Sequence, residues 1–413
     1  MTDTTQSATT QGAWQVHEGA LTGLRVLDLT RVLSGPFASM ILADLGADVI
    51  KLEDDRAGDD TRGWGPPFQG DDAAYFHSVN RGKRSLAVNL KSTAGREVAL
   101  RLADTADVVL ENFRPGTAAR LGLGYEQLAE RNPGIVYGSV SGFGQTGPLH
   151  ERAGYDAIAQ AMSGMMSVTG ETGGGAVRFG VAGADLAAGM WVTIGILSAL
   201  RARDQTGDGQ HVDIALLDAE TSWLTYVAQN YFASGATPRR HGSAHPNIVP
   251  YQAFRTADGE IMVAVGNDAL WQRFAPVVGL AELADDPAYA TNAQRVSHRD
   301  SLLPLVETAL KERTATEWAD LLTDAGVPVG PIHTVPDALA QPQLAAREMV
   351  VDLPHSTLGS VRTLGTPLKL SGTPATLRHA SPVHGEHTAS ILEALALPPE
   401  QIEEILGTGS VVA

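Results

Sequence analysis

One stretch limits the folds open to this chain more than any other. Residues 24–30 carry the mostly apolar pattern of a buried strand, Ser34 and Pro36 open a helix that Gly46 closes, and residues 48–52 resume as strand. A strand, a covering helix and a second strand joined this closely form a β-α-β unit, which makes the strands parallel. The alternation continues through strand-like residues 86–90, a helix capped at Ser92 or Thr93 and running to Leu102, and strands at 108–110 and 135–140. The expected class is α/β, with a Rossmann-like, mostly parallel sheet wrapped by helices. Ligands of such sheets sit beyond the carboxyl ends of the strands. Attention therefore falls on the loops 31–35, 80–85, 111–116 and 141–148. Residues 185–203 read as a helix with apolar Leu186, Met190, Ile194 and Leu197 along it.

With 413 residues the chain exceeds one usual hydrophobic core, so two domains are expected. Texture changes at 235–247, rich in Gly, Pro and charge, and residues 253–265 then read as a hairpin turning at Asp258 and Gly259. Residues 1–20 read as a disordered Thr/Gln/Ser tail, with no Lys or Arg in the first 18 such as a signal peptide needs. No apolar run is long and uninterrupted enough to predict a membrane span. Zero cysteines exclude thiol nucleophiles and thiolate metal sites and fit a cytoplasmic setting. The net charge of −17 argues against nucleic acid or an anionic membrane as partner. A small polyanion can still bind where basic residues gather locally.

Several residue groups are candidates for chemistry. Gly142, Gly144 and Gly147 match the dinucleotide fingerprint after a strand, but no apolar helix follows and no acidic strand end lies about 20 residues on, so they read as a tight loop. The pairs His241/His245 and His384/His387 lack a carboxylate at third-ligand spacing, so no metal is expected. His245 lies in a Gly-rich stretch that reads either as a substrate lid or as an ordinary loop. Basic residues cluster at 80–84 and 111–120, either as solvated surface or as phosphate binders at the ligand end of the sheet. Asp185, before an apolar helix, is an N-cap in one reading; in the other it is a carboxylate nucleophile that needs no general base, its ordinary pKa being near 3.9.

The ordered segments 24–36, 45–53, 80–85, 111–116, 142–148, 154–156 and 181–189 together resemble the class III CoA-transferases (CaiB/BaiF type), a family that includes formyl-CoA transferase, carnitine CoA-transferases and α-methylacyl-CoA racemase. Segments 59–68 and 248–254 resemble most the branch acting on succinyl-CoA and glutarate. The resemblance implies a large CoA-binding domain from residues 21–234 and 345–413, a smaller α+β domain at 235–344, and two ring-like subunits interlocked as a homodimer. It implies Asp185 as nucleophile, CoA contacts at Lys83, Asn112, Phe113, Arg120 and Tyr155, and CoA thioesters as substrates with no permanently bound cofactor. Formyl-CoA transferase has glutamine at the position of Leu33 and arginine at that of Asp54; Arg56 is the expected replacement for the second. Arg62 and Arg31 are the expected clamps for a dicarboxylic acid, and His245 a substrate contact. The racemases of the family use a histidine where this chain has Tyr155, a poor base at neutral pH.

Overall fold

The computed structural model describes residues 10–407. Six segments form the strands β1 (Arg25–Asp28), β2 (Asp48–Glu53), β3 (Lys83–Ala87), β4 (Val108–Glu111), β5 (Val136–Ser141) and β6 (His211–Ala215). They make one wholly parallel sheet in the order β3-β2-β1-β4-β5-β6. The order reverses between β1 and β4, which is the switch point where doubly wound sheets open a crevice at their carboxyl ends.

Successive side chains explain why both faces are covered. Val26, Val49, Val108 and Val136 point to a core shared with helix α1 (Ser34–Asp44) and, farther along, with the 24-residue helix α4 (Gly183–Thr206). Their neighbours Leu27, Ile50, Val109 and Tyr137 point to a second core against α2 (Thr93–Ala103) and the C-terminal Ile391 and Leu392. Strands buried on both sides need the near-continuous apolar runs seen in the sequence.

Strand β3 begins three residues before the expected Leu86. Lys83, Arg84 and Ser85 are polar yet buried, because Asp28, Asp48 and Glu53 on the neighbouring strands pair with them. The edge strand β6 is also absent from the sequence expectation, its half-buried pattern being mixed.

The helices flanking the crevice are α3 (Asp156–Met162), α4 (Gly183–Thr206) and α5 (Leu216–Thr221). Helix α4 is long and apolar enough to cross a membrane by length and composition, although the sequence shows no uninterrupted apolar run. Ala184, Ala187, Ala188, Val192 and Ile196 are instead packed into the core beside β5.

Two compact units are present, one of residues 1–165, 179–225 and 342–413, the other of 166–178 and 226–341. The sequence expectation starts the small domain at 235 and lacks its 166–178 segment. Arg240 binds that segment by donating to the carbonyls of Met166, Thr169 and Gly174, a long-range tie no local pattern reveals. The second unit is built on strands β7 (Tyr251–Arg255), β8 (Glu260–Ala264) and β9 (Val329–Pro331), around buried Phe254, Trp271, Phe274 and Trp318.

Of the expected disordered tail, residues 1–9 lie outside the described residues. Thr10–Gln11 and Trp14–Gln15 pair as a short hairpin, held because the Trp14 ring is buried and its indole N–H donates to Thr105 at 2.9 Å.

Candidate active site

Beyond β1, β4 and β5 lies a cavity lined by Arg31, Val32, Ser34, Asp60, Asn112 to Pro115, Ser141, Gly142, Arg152, Gly154, Tyr155 and Asp185. The turn from β1 into α1 is strained there: Val32 has φ +70°, a conformation rare for a β-branched residue and costing on the order of 1–3 kcal/mol. Asn112 fixes this turn to the β4 loop, its amide accepting from the Arg31 N–H at 2.8 Å and donating to the Arg31 carbonyl at 2.6 Å.

Asp185 is the third residue of α4, not its cap; the cap residue is Ala182 and offers no side-chain bond. Capping comes from elsewhere in the chain. Asp156, buried at the start of α3, accepts from the Ala184 N–H at 2.9 Å and is held by the Gln160 amide at 2.8 Å. Burial first, and then the charge of Asp156, push the Asp185 carboxyl up to about 7, while a hydrogen bond with Ser34 opposes them. The sequence expectation of a carboxylate ionised without help is therefore corrected: near neutrality Asp185 is poised between its two forms. Glu220 on α5 is enclosed nearby, with neither carboxyl oxygen hydrogen-bonded among the described residues. Burial and the Asp156 charge raise its pKa as well.

Tyr155 stands exposed at the rim as the cap residue of α3. The loop carrying it meets the β5 loop where Gly142 and Gly154 touch. A Cβ on Gly142 would lie 2.6 Å from the Gly154 Cα, backbone that cannot rotate away. Gly142→Ala is therefore expected to part the loops and lower turnover at least about tenfold, with a smaller loss of stability. Wild-type turnover in this variant, measured beside its melting temperature, would show that the contact does not shape the cavity.

A second cavity adjoins the first, sharing Arg31 and Phe113. Its other walls include Leu29, Leu52, Asp54, Val88, Leu90, Lys91, Thr117 and Leu121. Phe113 thus lies between the two cavities, with the Arg31 guanidinium 5.8 Å from its ring centre. Arg120 is exposed and donates to Thr117 at 2.7 Å, beside the second cavity. Arg56 is exposed and lines neither.

Two expected ligand contacts turn out to be interior. Lys83 is wholly buried and donates to Asp28 at 3.2 Å, to the Pro36 carbonyl at 2.9 Å and to Asn80 at 2.8 Å. Burial pulls it down to about 8 despite Asp28. It anchors the start of α1 rather than facing a cavity. Arg62 gives two donors to Glu53, each at 2.8 Å, a third to Asp72 at 2.7 Å, and lies 3.6 Å over the Phe76 ring. Its fork is spent, so it is not free to clamp an acid. Arg31, by contrast, is exposed in the cavity, and its one ion pair among the described residues is a 3.5 Å contact to exposed Asp60.

The sequence expectation misses Arg152 in the first cavity and Lys91 in the second, while Arg114, part of the 111–120 basic cluster, lines the first. Their signal was position: each follows a strand at the carboxyl edge. His245 belongs to the second unit, where its ring stacks on Tyr226 at 5.0 Å. Among the described residues no His, Asp and Glu group is arranged to hold a metal ion.

The cavity therefore joins a carboxyl group of raised pKa to a rim of three arginines, in a chain that is otherwise strongly acidic. That combination suits an anionic substrate and an oxygen nucleophile.

Comparison with known proteins places this geometry among relatives. The family model described as CoA-transferase family III matches residues 21–388. A succinyl-CoA:glutarate CoA-transferase of Homo sapiens is 42% identical over 392 residues, 95% of this chain and 90% of that protein. A succinate–glutarate CoA-transferase of Agrobacterium fabrum is 45% identical over 384 residues, 91% of this chain and 95% of that protein. The crystal structure of a CAIB/BAIF family protein from Brucella suis superposes with a TM-score of 0.82 at 44% identity, covering 92% of this chain and 100% of that one.

Proposed function

Because the chain belongs to CoA-transferase family III, we propose that it carries CoA from succinyl-CoA to a small dicarboxylic acid such as glutarate, with the Asp185 carboxylate as the covalent carrier. One observation carries the assignment of the carrier: of the two carboxyl groups lining the switch-point cavity, Asp185 is the one set at the first turn of α4 and raised in pKa, whereas Asp60 is exposed.

The Asp185 oxygen attacks the donor thioester carbon; the C–S bond breaks, CoA thiolate leaves, and a mixed anhydride forms. The thiolate then attacks the aspartyl carbonyl of the anhydride, releasing the donor acid and leaving an aspartyl-CoA thioester. The acceptor carboxylate attacks that thioester to form a second anhydride, and the thiolate takes the new acyl group, freeing Asp185. One thioester replaces another, so the reaction is nearly thermoneutral, and the protein's task is to position groups and exclude water. The two adjoining cavities support a path for CoA, with the nucleotide in the apolar cavity beside Lys91 and Arg120, the chain passing Phe113, and the thioester meeting Asp185. Lys83 then acts indirectly, holding the α1 turn.

A carboxyl group near neutrality gives the reaction a pH signature. Only the ionised form is nucleophilic, and its pKa is raised, so the reactive fraction falls as pH drops below about 7. The kcat/KM for succinyl-CoA is expected to fall about tenfold per pH unit in that limb and to level off above it. A profile flat from pH 5 to 8, roughly the interval between the ordinary and raised values, would contradict the electrostatic account.

The absence of cysteine supports a cytoplasmic setting. Exposed Met190, Trp191 and Ile194 on α4, with Ile158 and Met162 on α3, support burial against a second copy and thus the interlocked homodimer. The test of function is direct: succinyl-CoA and glutarate are incubated with the protein, and glutaryl-CoA is sought by chromatography. Its absence, with succinyl-CoA intact, refutes the assignment.

A further inference from the structure

We propose that Arg152 holds the far carboxylate of the acid in transit and so makes the site selective for dicarboxylic acids. This rests on the CoA-transferase reading above and deepens it.

Three arginines line the first cavity, and their surroundings separate them. Arg31 also lines the second cavity, and Arg114 directly follows Phe113, the residue between the two. Arg31 therefore faces both cavities, and Arg114 belongs to the β4 loop that carries Phe113, the loop along which an anionic nucleotide end needs cations. Arg152 lies on another loop, with Ala153, Gly154 and Tyr155, on a wall the second cavity does not share.

Its guanidinium sits 5.9 Å from the centre of the Phe143 ring. An aromatic face orients a guanidinium but accepts none of its in-plane hydrogen bonds, so the fork stays open. Among the described residues Arg152 makes no ion pair. The contrast with Arg62, whose donors are taken by Glu53 and Asp72, is complete.

The near end of the acid must reach Asp185 to react. A second carboxylate on the same molecule must then find a partner in the same cavity or be left desolvated. A planar fork matches a carboxylate with two parallel hydrogen bonds. Succinate and glutarate both carry such a group, so one cation serves both halves of the exchange. The Gly142–Gly154 contact holds the Arg152 loop against the β5 loop and keeps that cation in place.

The test compares two acceptors that differ at the far end alone, glutarate and pentanoate, with succinyl-CoA as donor for both so that effects on the donor cancel. In Arg152→Gln the ratio of kcat/KM for glutarate over pentanoate is expected to fall at least about tenfold, the loss of a charge-assisted pair. Arg152→Lys, which keeps the charge without the fork, is expected to recover part of the ratio. A ratio within about twofold of wild type, with weaker binding of free CoA, would overturn the proposal and assign Arg152 to the CoA phosphates. Wild-type protein that makes no glutaryl-CoA sinks the functional reading itself, and does so before any variant is tested.

Discussion

Alanine at position 185 is expected to lower CoA exchange between succinyl-CoA and glutarate by at least about a thousandfold, with folding intact. The reason is chemical rather than architectural. The proposed path sends both the acyl group and the CoA sulfur through this carboxyl group, and no cysteine exists to replace it. The fold loses little, since the cap of α4 is supplied by Asp156 and not by Asp185. Removing a carboxyl group whose ionisation is opposed by burial and by Asp156 also relieves the native state at alkaline pH. Initial rates of glutaryl-CoA formation, with far-ultraviolet circular dichroism as control, test this. A folded variant retaining more than about a tenth of wild-type rate would require another nucleophile.

Arg62→Ala is expected to act on stability, at a cost of about 3–5 kcal/mol, and not on acid selectivity. Its loss leaves Glu53 buried with Ser85 and the Asp59 N–H as its remaining partners. Arg62 is the main influence holding Glu53 below its ordinary pKa against burial. It also bridges Asp72 and the Pro382 carbonyl, so one substitution loosens β2, the 60–63 turn and the returning C-terminal segment together. Urea unfolding followed by tryptophan fluorescence should show a lower midpoint. A variant with an unchanged midpoint and a raised KM for glutarate would return Arg62 to the role its sequence context suggested.

Those two residues illustrate what a linear reading reaches. The parallel sheet was legible because its central strands are buried on both faces and therefore carry apolar residues at most positions, and because Pro36, Gly46 and Ser92 mark helix ends chemically. The crevice followed from the alternation, since a doubly wound sheet opens at its carboxyl edge whatever its side chains are. Arg31, Asn112, Phe113, Tyr155 and Asp185 come together there as a consequence. Lys83 and Arg62 misled because charge in a loop next to a strand looks the same whether it faces ligand or a buried acid. Their partners Asp28 and Glu53 lie in strands that pattern alone reads as core. The raised pKa of Asp185 was hidden for a related reason: Asp156 is 29 positions earlier in sequence and is brought to α4 by the fold, where it accepts from the Ala184 N–H. The 166–178 segment joins the second unit through Arg240, again a contact without local trace.

The central claim is that the Asp185 side chain becomes acylated during turnover. The protein is mixed with succinyl-CoA, quenched with hydroxylamine, digested and analysed by mass spectrometry. The account predicts a hydroxamate on Asp185, absent when succinyl-CoA is omitted. An unmodified Asp185 in protein that is turning over, or a hydroxamate on a different carboxyl group, would contradict it.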